Sequence, residues 1–355
     1  MPAVQDAPLQ TLMLPFATGA LRWPDGTALF LRARAGWPLR EQARGPVLCE
    51  QDWYPAAEAL RREGLAPIAG DASPRPDGAG HPLVLVLPPR QREEARALLA
   101  RAVALATPGG VVVACQANAE GARSGEADLA RLAPLAGTLT KSHCRVYWTA
   151  PLAAHADPAL VEAWRALDAP RPILDGRFLS RPGVFAWDRV DPASRLLAEQ
   201  LPDTLAGRGA DLGCGWGFLA AQLLERCAAI TALDLYEAER RALALAERNL
   251  APWAGTRALG LHWADVTAGL PARDYDFIVS NPPFHGAARD GRPQIGQAFI
   301  AAAAAALRPG GRLWLVANRH LPYEQALAAG FAEVKVLAER DGYKALVATR
   351  AGGRR

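Results

Sequence analysis

From about Gly207 onward, short apolar runs alternate with stretches whose leucines and alanines recur every three or four residues. The runs read as buried strands and the stretches as helices with one apolar face, an alternation that predicts a parallel sheet covered by helices on both sides. Strands are expected at 209–213, 229–234, 257–263, 275–280, 311–317, 331–337 and 343–349. Helices are expected over FLAAQLLERC, over EAERRALALAERNL and from Gln294 to Leu307, where Pro309-Gly310-Gly311 stops the last of them. The final two strands are so close in sequence that they read as an antiparallel pair at the sheet edge.

The first half repeats this plan in a worn form. HPLVLVLPPR (81–90) parallels YDFIVSNPPF (275–284), and ATPGGVVVACQAN (106–118) parallels LRPGGRLWLVANR (307–319). Upstream, VLCEQDWYPAAEALRREG (47–64) parallels ITALDLYEAERRALALAERN (230–249). Alanine-rich elements resemble one another by chance, but three pairs in the same order indicate duplication. Proline-rich sequence between the copies puts the boundary near residue 165, giving a degenerate α/β domain over 1–165 and a doubly wound, Rossmann-like domain of seven strands over 166–355.

The chain's 355 residues suit two domains, and half of them are hydrophobic, with no apolar run long enough for a bilayer. The amino terminus lacks a basic start followed by an apolar core, so a cytoplasmic protein is expected. Five cysteines without a CxxC pair and six histidines indicate neither a disulfide framework nor a zinc site, so no metal is expected. The net charge of +4 permits a polyanionic partner without demanding one.

Chemistry collects at the strand ends of the second half. ADLGCGWG (210–217) follows a strand and opens a helix, with glycines at 213, 215 and 217. Glycine there allows a sharp turn and a close approach to a ligand. A dinucleotide loop would read GxGxxG; here Asp211 stands two residues before the first glycine, and a carboxylate there suits a cationic amino-acid head group rather than a pyrophosphate. The next strand is expected to end at Asp234, placed to accept from ribose hydroxyls. Asp265, after the third strand, would accept from an adenine amine, or is simply a turn acid. Together these acids describe the three parts of S-adenosyl-L-methionine.

The fourth strand hands over to SNPPFH. Pro282 and Pro283 fix their own φ and donate no backbone hydrogen bond, so they stiffen the corner that aims Asn281 into the cleft. A carboxamide oxygen, with the Pro282 carbonyl, would accept the hydrogens of an exocyclic amine while Phe284 stacks on the base, so catalysis is mainly positioning. His285 either packs locally or serves the substrate, and Arg289 and Arg292 are candidates for phosphate contacts. Trp216 either flanks the cofactor or packs, Tyr236 either lines the adenine pocket or starts a helix, and Trp263 and Trp314 read as core. Arg32, Arg34, Arg40, Arg61 and Arg62 form either a solvated face or an RNA surface.

These motifs in this order resemble class I S-adenosylmethionine-dependent methyltransferases, and more narrowly the bacterial 16S rRNA guanine-N2 methyltransferases. FLSRPGVFAWDRVDPASRLL (178–197), DxGxG, SNPPFH, VANRHLPY (316–323) and YKALVATR carry the likeness over nearly the whole chain. The family also has a degenerate amino-terminal copy of its catalytic domain. The resemblance implies methyl transfer to the N2 amine of a guanine in 16S rRNA by a monomer acting on the rRNA or the 30S subunit. It assigns Asp211, Gly213 and Gly215 to the amino-acid part of the cofactor, Asp234 to ribose, Asp265 to adenine and Asn281 to Phe284 to the base. GAARDGRP after the histidine departs from the usual loop, which leaves the target less defined than the chemistry. In the first half, Leu87 and Arg90 replace Asn281 and Phe284, so no second active site is expected. Alternatives are a 23S rRNA guanine, a DNA adenine N6, a protein glutamine amide, or a non-catalytic RNA-binding assembly factor.

Overall fold

The computed structural model describes residues 6–70, 80–153, 157–283 and 293–352. The chain divides into two compact units, one comprising Met1–Pro170 with Arg181–Gly183, the other Arg171–Ser180 with Val184–Arg355.

In the first unit, β1 (Ala28–Leu31), β2 (Val47–Glu50), β3 (His81–Val86), β4 (Ala106–Ala117), β5 (Leu135–Lys141) and β6 (Cys144–Thr149) form one sheet in the order β2-β1-β3-β4-β6-β5. A two-stranded ribbon, β7 (Arg171–Ile173) with β8 (Phe178–Ser180), opens the second unit. The main sheet of that unit comprises β9 (Gly207–Leu212), β10 (Ile230–Glu237), β11 (Ala258–Trp263), β12 (Tyr275–Ser280), β13 (Leu307–Asn318), β14 (Glu333–Arg340) and β15 (Tyr343–Thr349). Its order is β11-β10-β9-β12-β13-β15-β14. β9 to β13 pair in parallel, whereas β15 inserts antiparallel between β13 and β14.

The two orders coincide once β11 is removed, so among the described residues the first unit is the same winding without its third strand. A remnant survives as the parallel bridge Glu50–Ile68, where the Ile68 amide donates to Cys49 at 2.8 Å. The three repeated sequence pairs fall on β3 and β12, β4 and β13, and β2 and β10, so duplication is visible in topology as well as in sequence.

Both faces of the seven-stranded sheet are covered, as the uniformly apolar strands require. On one face Leu233, Leu235, Phe277 and Val279 pack against the helices Pro192–Gln200, Phe218–Arg226 and Arg240–Leu250. On the other, Ala210, Leu212, Tyr236 and Ile278 pack against the helices Pro293–Ala306 and Glu324–Gly330. Gly209 is required here because a Cβ at that position would lie 2.1 Å from the Phe277 ring. Two strands run longer than their apolar signal suggests. β13 begins at Leu307, with Pro309 to Gly311 taken up by a register shift opposite β12, and β10 continues through Asp234 to Glu237.

Candidate active site

Parallel strands direct their carboxyl ends to one edge, and β10, β9 and β12 are neighbours there. Leu235 and Val279 both pair with Asp211. Two residues further along each strand stand Glu237, Gly213 and Asn281, which the registers bring level across the edge. Because side chains alternate along a strand, Asp211, Glu237 and Asn281 share one face. The Ser280 hydroxyl donates to the Leu212 carbonyl at 2.8 Å and ties the Asn281 corner to the start of the glycine loop.

The loop is strongly constrained. Gly213, Gly215 and Gly217 have φ of +73°, +55° and +91°, where a side chain is disfavoured. Amides of Gly213 and Cys214 donate to the Tyr236 carbonyl, and the Gly215 amide donates to Glu237 Oε2 at 2.8 Å. Asn249 holds the loop from behind by donating to the Trp216 and Leu179 carbonyls. Trp216 belongs to the core: it packs on Phe178 and Phe218 and donates Nε1–H to the Ala186 carbonyl. A Cβ on Gly215 would meet nothing within 4 Å, so the loop presents bare backbone to open space.

Asp211 is fully buried, and among the described residues neither carboxylate oxygen has a hydrogen-bond partner. Burial first, and the nearby Glu237 charge second, push its pKa up to about 7; the Ala220 amide tempers this. Glu237 is also shifted upward by burial, against the amides of Glu239 and Gly215 that hold it.

Asn281 is fixed from one end. Its Nδ2 donates to Asp191 Oδ2 at 2.9 Å and to Ser194 Oγ at 2.8 Å, while Oδ1 is buried without a partner among the described residues. An unpaired buried acceptor costs about 1–3 kcal/mol, so native proteins rarely keep one without a use. Three such oxygens, two on Asp211 and one on Asn281, converge on the ends of adjacent strands. Pro282 is buried and Pro283 exposed.

The expectation for Asp234 is corrected. β10 runs three residues past it, and Asp234 lies on the opposite face of the sheet from Asp211. Its carboxylate accepts from Arg208 Nη2 at 2.6 Å, from Tyr275 OH at 2.6 Å and from His262 Nε2 at 3.2 Å. Burial alone would raise its pKa, but those bonds outweigh it and hold the carboxyl below its usual range. Asp234 is a core ion-pair residue, and the acid at the strand tip is Glu237. Tyr236 is core as well, stacked on His262 with ring centres 4.4 Å apart and hydrogen-bonded to Tyr275.

Asp265 follows β11 and caps the turn Val266–Ala268, where Oδ1 accepts from the Thr267 amide and hydroxyl. Its other oxygen makes no hydrogen bond among the described residues. Phe284, His285, Arg289 and Arg292 lie outside the described residues. Of the amino-terminal arginines, Arg32 pairs with Glu94, Arg34 with Asp6, Arg40 with Glu63 and Arg61 with Glu58. In that unit β1 leads into Arg32, not a glycine loop, and buried Leu87 stands where the second copy has its asparagine.

The family model for the methyltransferase small domain matches residues 175–347. The second unit is similar to a methyltransferase small domain over nearly its whole length. Curated relatives agree: the ribosomal RNA small subunit methyltransferase C of Shewanella loihica is 39% identical over 165 residues, 46% of this chain and 46% of its own length. The protein of the same description from Hahella chejuensis is 35% identical over 214 residues, 59% of each chain. The chain thus matches about half the length of the first of these relatives. Among solved structures, the T. thermophilus 16S rRNA N2 G1207 methyltransferase in complex with AdoMet and guanosine has a TM-score of 0.80 at 25% identity, covering 98% of this chain and 93% of its own. The whole chain therefore has the architecture of a Rossmann-like methyltransferase domain preceded by a duplicated amino-terminal domain.

Sequence reasoning missed Glu237, Asp191 and Ser194. DPAS carries a helix-start signal, an acid before proline with a serine three residues on. Nothing local links it to an asparagine 90 residues away.

Proposed function

We propose that this protein transfers a methyl group from S-adenosyl-L-methionine to the exocyclic N2 amine of a guanine in 16S rRNA. The observation that carries the reading is the buried, unpartnered Oδ1 of Asn281, beside a glycine loop that opens onto free space. The relatives named as small-subunit methyltransferases, and the neighbour bound to AdoMet and guanosine, support it.

The residues present fit the cofactor. Asp211 receives the cationic amino-acid head group, which supplies the charge its buried carboxylate lacks, and Gly213 and Gly215 let the backbone approach. Glu237 takes the ribose hydroxyls in place of Asp234, and Asp265 accepts from the adenine amine with its free oxygen. The bound cofactor supplies an electrophilic methyl group.

An exocyclic amine is a poor nucleophile because its lone pair is delocalised into the ring. Asn281 Oδ1 and the Pro282 carbonyl accept its hydrogens, draw the nitrogen toward tetrahedral geometry and stabilise the positive charge that develops on attack, and the methylated nitrogen then loses one proton to solvent water. Pro282 and Pro283 hold that pair still, and Phe284 stacks on the base. His285, Arg289 and Arg292 contact the flanking RNA. The enzyme acts as a monomer in the cytoplasm on 16S rRNA or the 30S subunit. No described helix is long and apolar enough to cross a membrane.

The test incubates the protein and tritiated S-adenosylmethionine with unmodified 16S rRNA, 30S subunits and 23S rRNA, followed by nucleoside mass spectrometry. N2-methylguanosine in the 16S or 30S samples, lost in Asn281→Ala, is expected. Product only in 23S rRNA, or cofactor binding with no product in any sample, overturns the substrate. Failure to bind the cofactor overturns the reaction.

A further inference from the structure

We propose that Asp191 and Ser194 are positioning residues that decide which end of the Asn281 carboxamide faces the target amine. The inference rests on the methyl-transfer reading and deepens it.

A primary amide has one accepting and one donating end of nearly equal size, so rotating the side chain by half a turn replaces an acceptor with a donor. For a base amine, the two states are opposite in effect: the oxygen accepts the amine's hydrogens, whereas the NH2 group would repel them. Something must select the oxygen.

Asp191 does so because an ionised carboxylate only accepts. With Oδ2 at 2.9 Å from Nδ2, the reversed amide would set two oxygens against each other. Ser194 Oγ takes the second amide hydrogen at 2.8 Å, which leaves the NH2 group saturated and Oδ1 alone available. The carboxylate is itself immobilised: its Oδ2 also accepts from the Ser194 amide at 2.9 Å, as the N-cap of the helix Pro192–Gln200. Ala193, Leu196 and Leu197 bury that helix against the sheet. The carboxamide is therefore held, through the helix cap, by a packed helix.

Asp191→Ser separates positioning from structure, because serine caps a helix as well as aspartate, whereas the one hydroxyl that then faces Asn281 can donate as well as accept. The expected result is a fall in kcat of about tenfold or more, with the dissociation constant for S-adenosylmethionine within about twofold of the parent. The melting temperature should stay within about 2 °C, since the cap is kept. Ser194→Ala should show a smaller loss of the same kind. A parent-like kcat in Asp191→Ser overturns the proposal, as does a loss matched by weaker cofactor binding or lower melting temperature. Nitrogen-15 spectra of the Asn281 side-chain amide provide a readout without turnover: NH2 protons protected from exchange with water in the parent, exchanging faster in Asp191→Ser. If the parent makes no N2-methylguanosine, the functional reading fails, and the spectra still decide the positioning.

Discussion

The Gly215 amide donates to Glu237 Oε2 at 2.8 Å, which fastens the middle of the glycine loop to the tip of the second strand. Glu239 donates its amide to the other oxygen at 2.9 Å. Both oxygens sit at the edge where Gly213 and Asn281 stand level with Glu237.

Glu237→Ala should therefore weaken S-adenosylmethionine binding by about tenfold or more, since hydrogen bonds to a charged group contribute about 1.5–3 kcal/mol. Asp234→Asn should leave that affinity within about twofold and lower stability instead, because it removes a buried acceptor from Arg208, Tyr275 and His262. Calorimetric titration alongside thermal unfolding of both variants checks this. Weak binding in Asp234→Asn with normal binding in Glu237→Ala would return the ribose to Asp234.

Asp211 sets a pH dependence. With its pKa raised to about 7, the carboxyl of the free protein holds a proton below that pH, whereas the unfolded chain loses it near the ordinary value. The unfolded state then binds fewer protons, so this group's contribution to stability falls as pH rises from about 4 to 7 and is flat above. A cationic head group favours the carboxylate and expels the proton. Affinity for S-adenosylmethionine should thus tighten from about pH 5.5 toward 7, by up to about tenfold per unit, and then level off. Titration in buffers of different ionisation enthalpy should show proton release near about pH 6. Asp211→Asn should bind weakly and without that dependence; a pH-dependent Asn variant would assign the proton elsewhere.

Two glycines in one loop should respond differently to alanine. At Gly215 the methyl group meets nothing, so only the left-handed backbone resists, at about 1–2 kcal/mol, while the space above the loop is filled. At Gly217 the new Cβ lies 3.2 Å from Ala246 Cβ and 3.3 Å from its Cα, where two packed helices leave no room. Gly215→Ala should lose mainly cofactor affinity and Gly217→Ala mainly stability, as read from dissociation constants and melting temperatures.

What the sequence disclosed was governed by local signals. Apolar runs, the DxGxGxG loop and the two prolines after Asn281 each act within a few residues, and they located the winding, the duplication and the corner. Asp234 misled because an acid in an apolar run reads as the end of a strand. Its counterweights are Arg208, His262 and Tyr275, which come from three other strands and become neighbours only on folding. Asp191 was visible as a helix start, yet its second task depends on β12 reaching the same edge 90 residues later.

Exchanging the two side chains that meet at 2.9 Å gives the sharpest separation. Asn281→Asp alone sets two carboxyl groups against each other. Both cannot ionise at that distance, so one takes a proton and the acceptor needed by the amine is compromised; a loss of about 100-fold or more in kcat is expected. Adding Asp191→Asn restores a donor–acceptor pair of reversed polarity, in which the new amide at position 191 donates to one oxygen of the new carboxylate at position 281 and the other oxygen faces the amine. The double variant should then be more active than Asn281→Asp. Independent effects would multiply and give no such recovery. Because its acceptor must be ionised, activity should also fall at acid pH, a limb the parent carboxamide does not contribute. Rates of N2-methylguanosine formation for the four proteins of the cycle measure this, and a double variant no better than the product of the singles would show that Asp191 does not act through the orientation of Asn281.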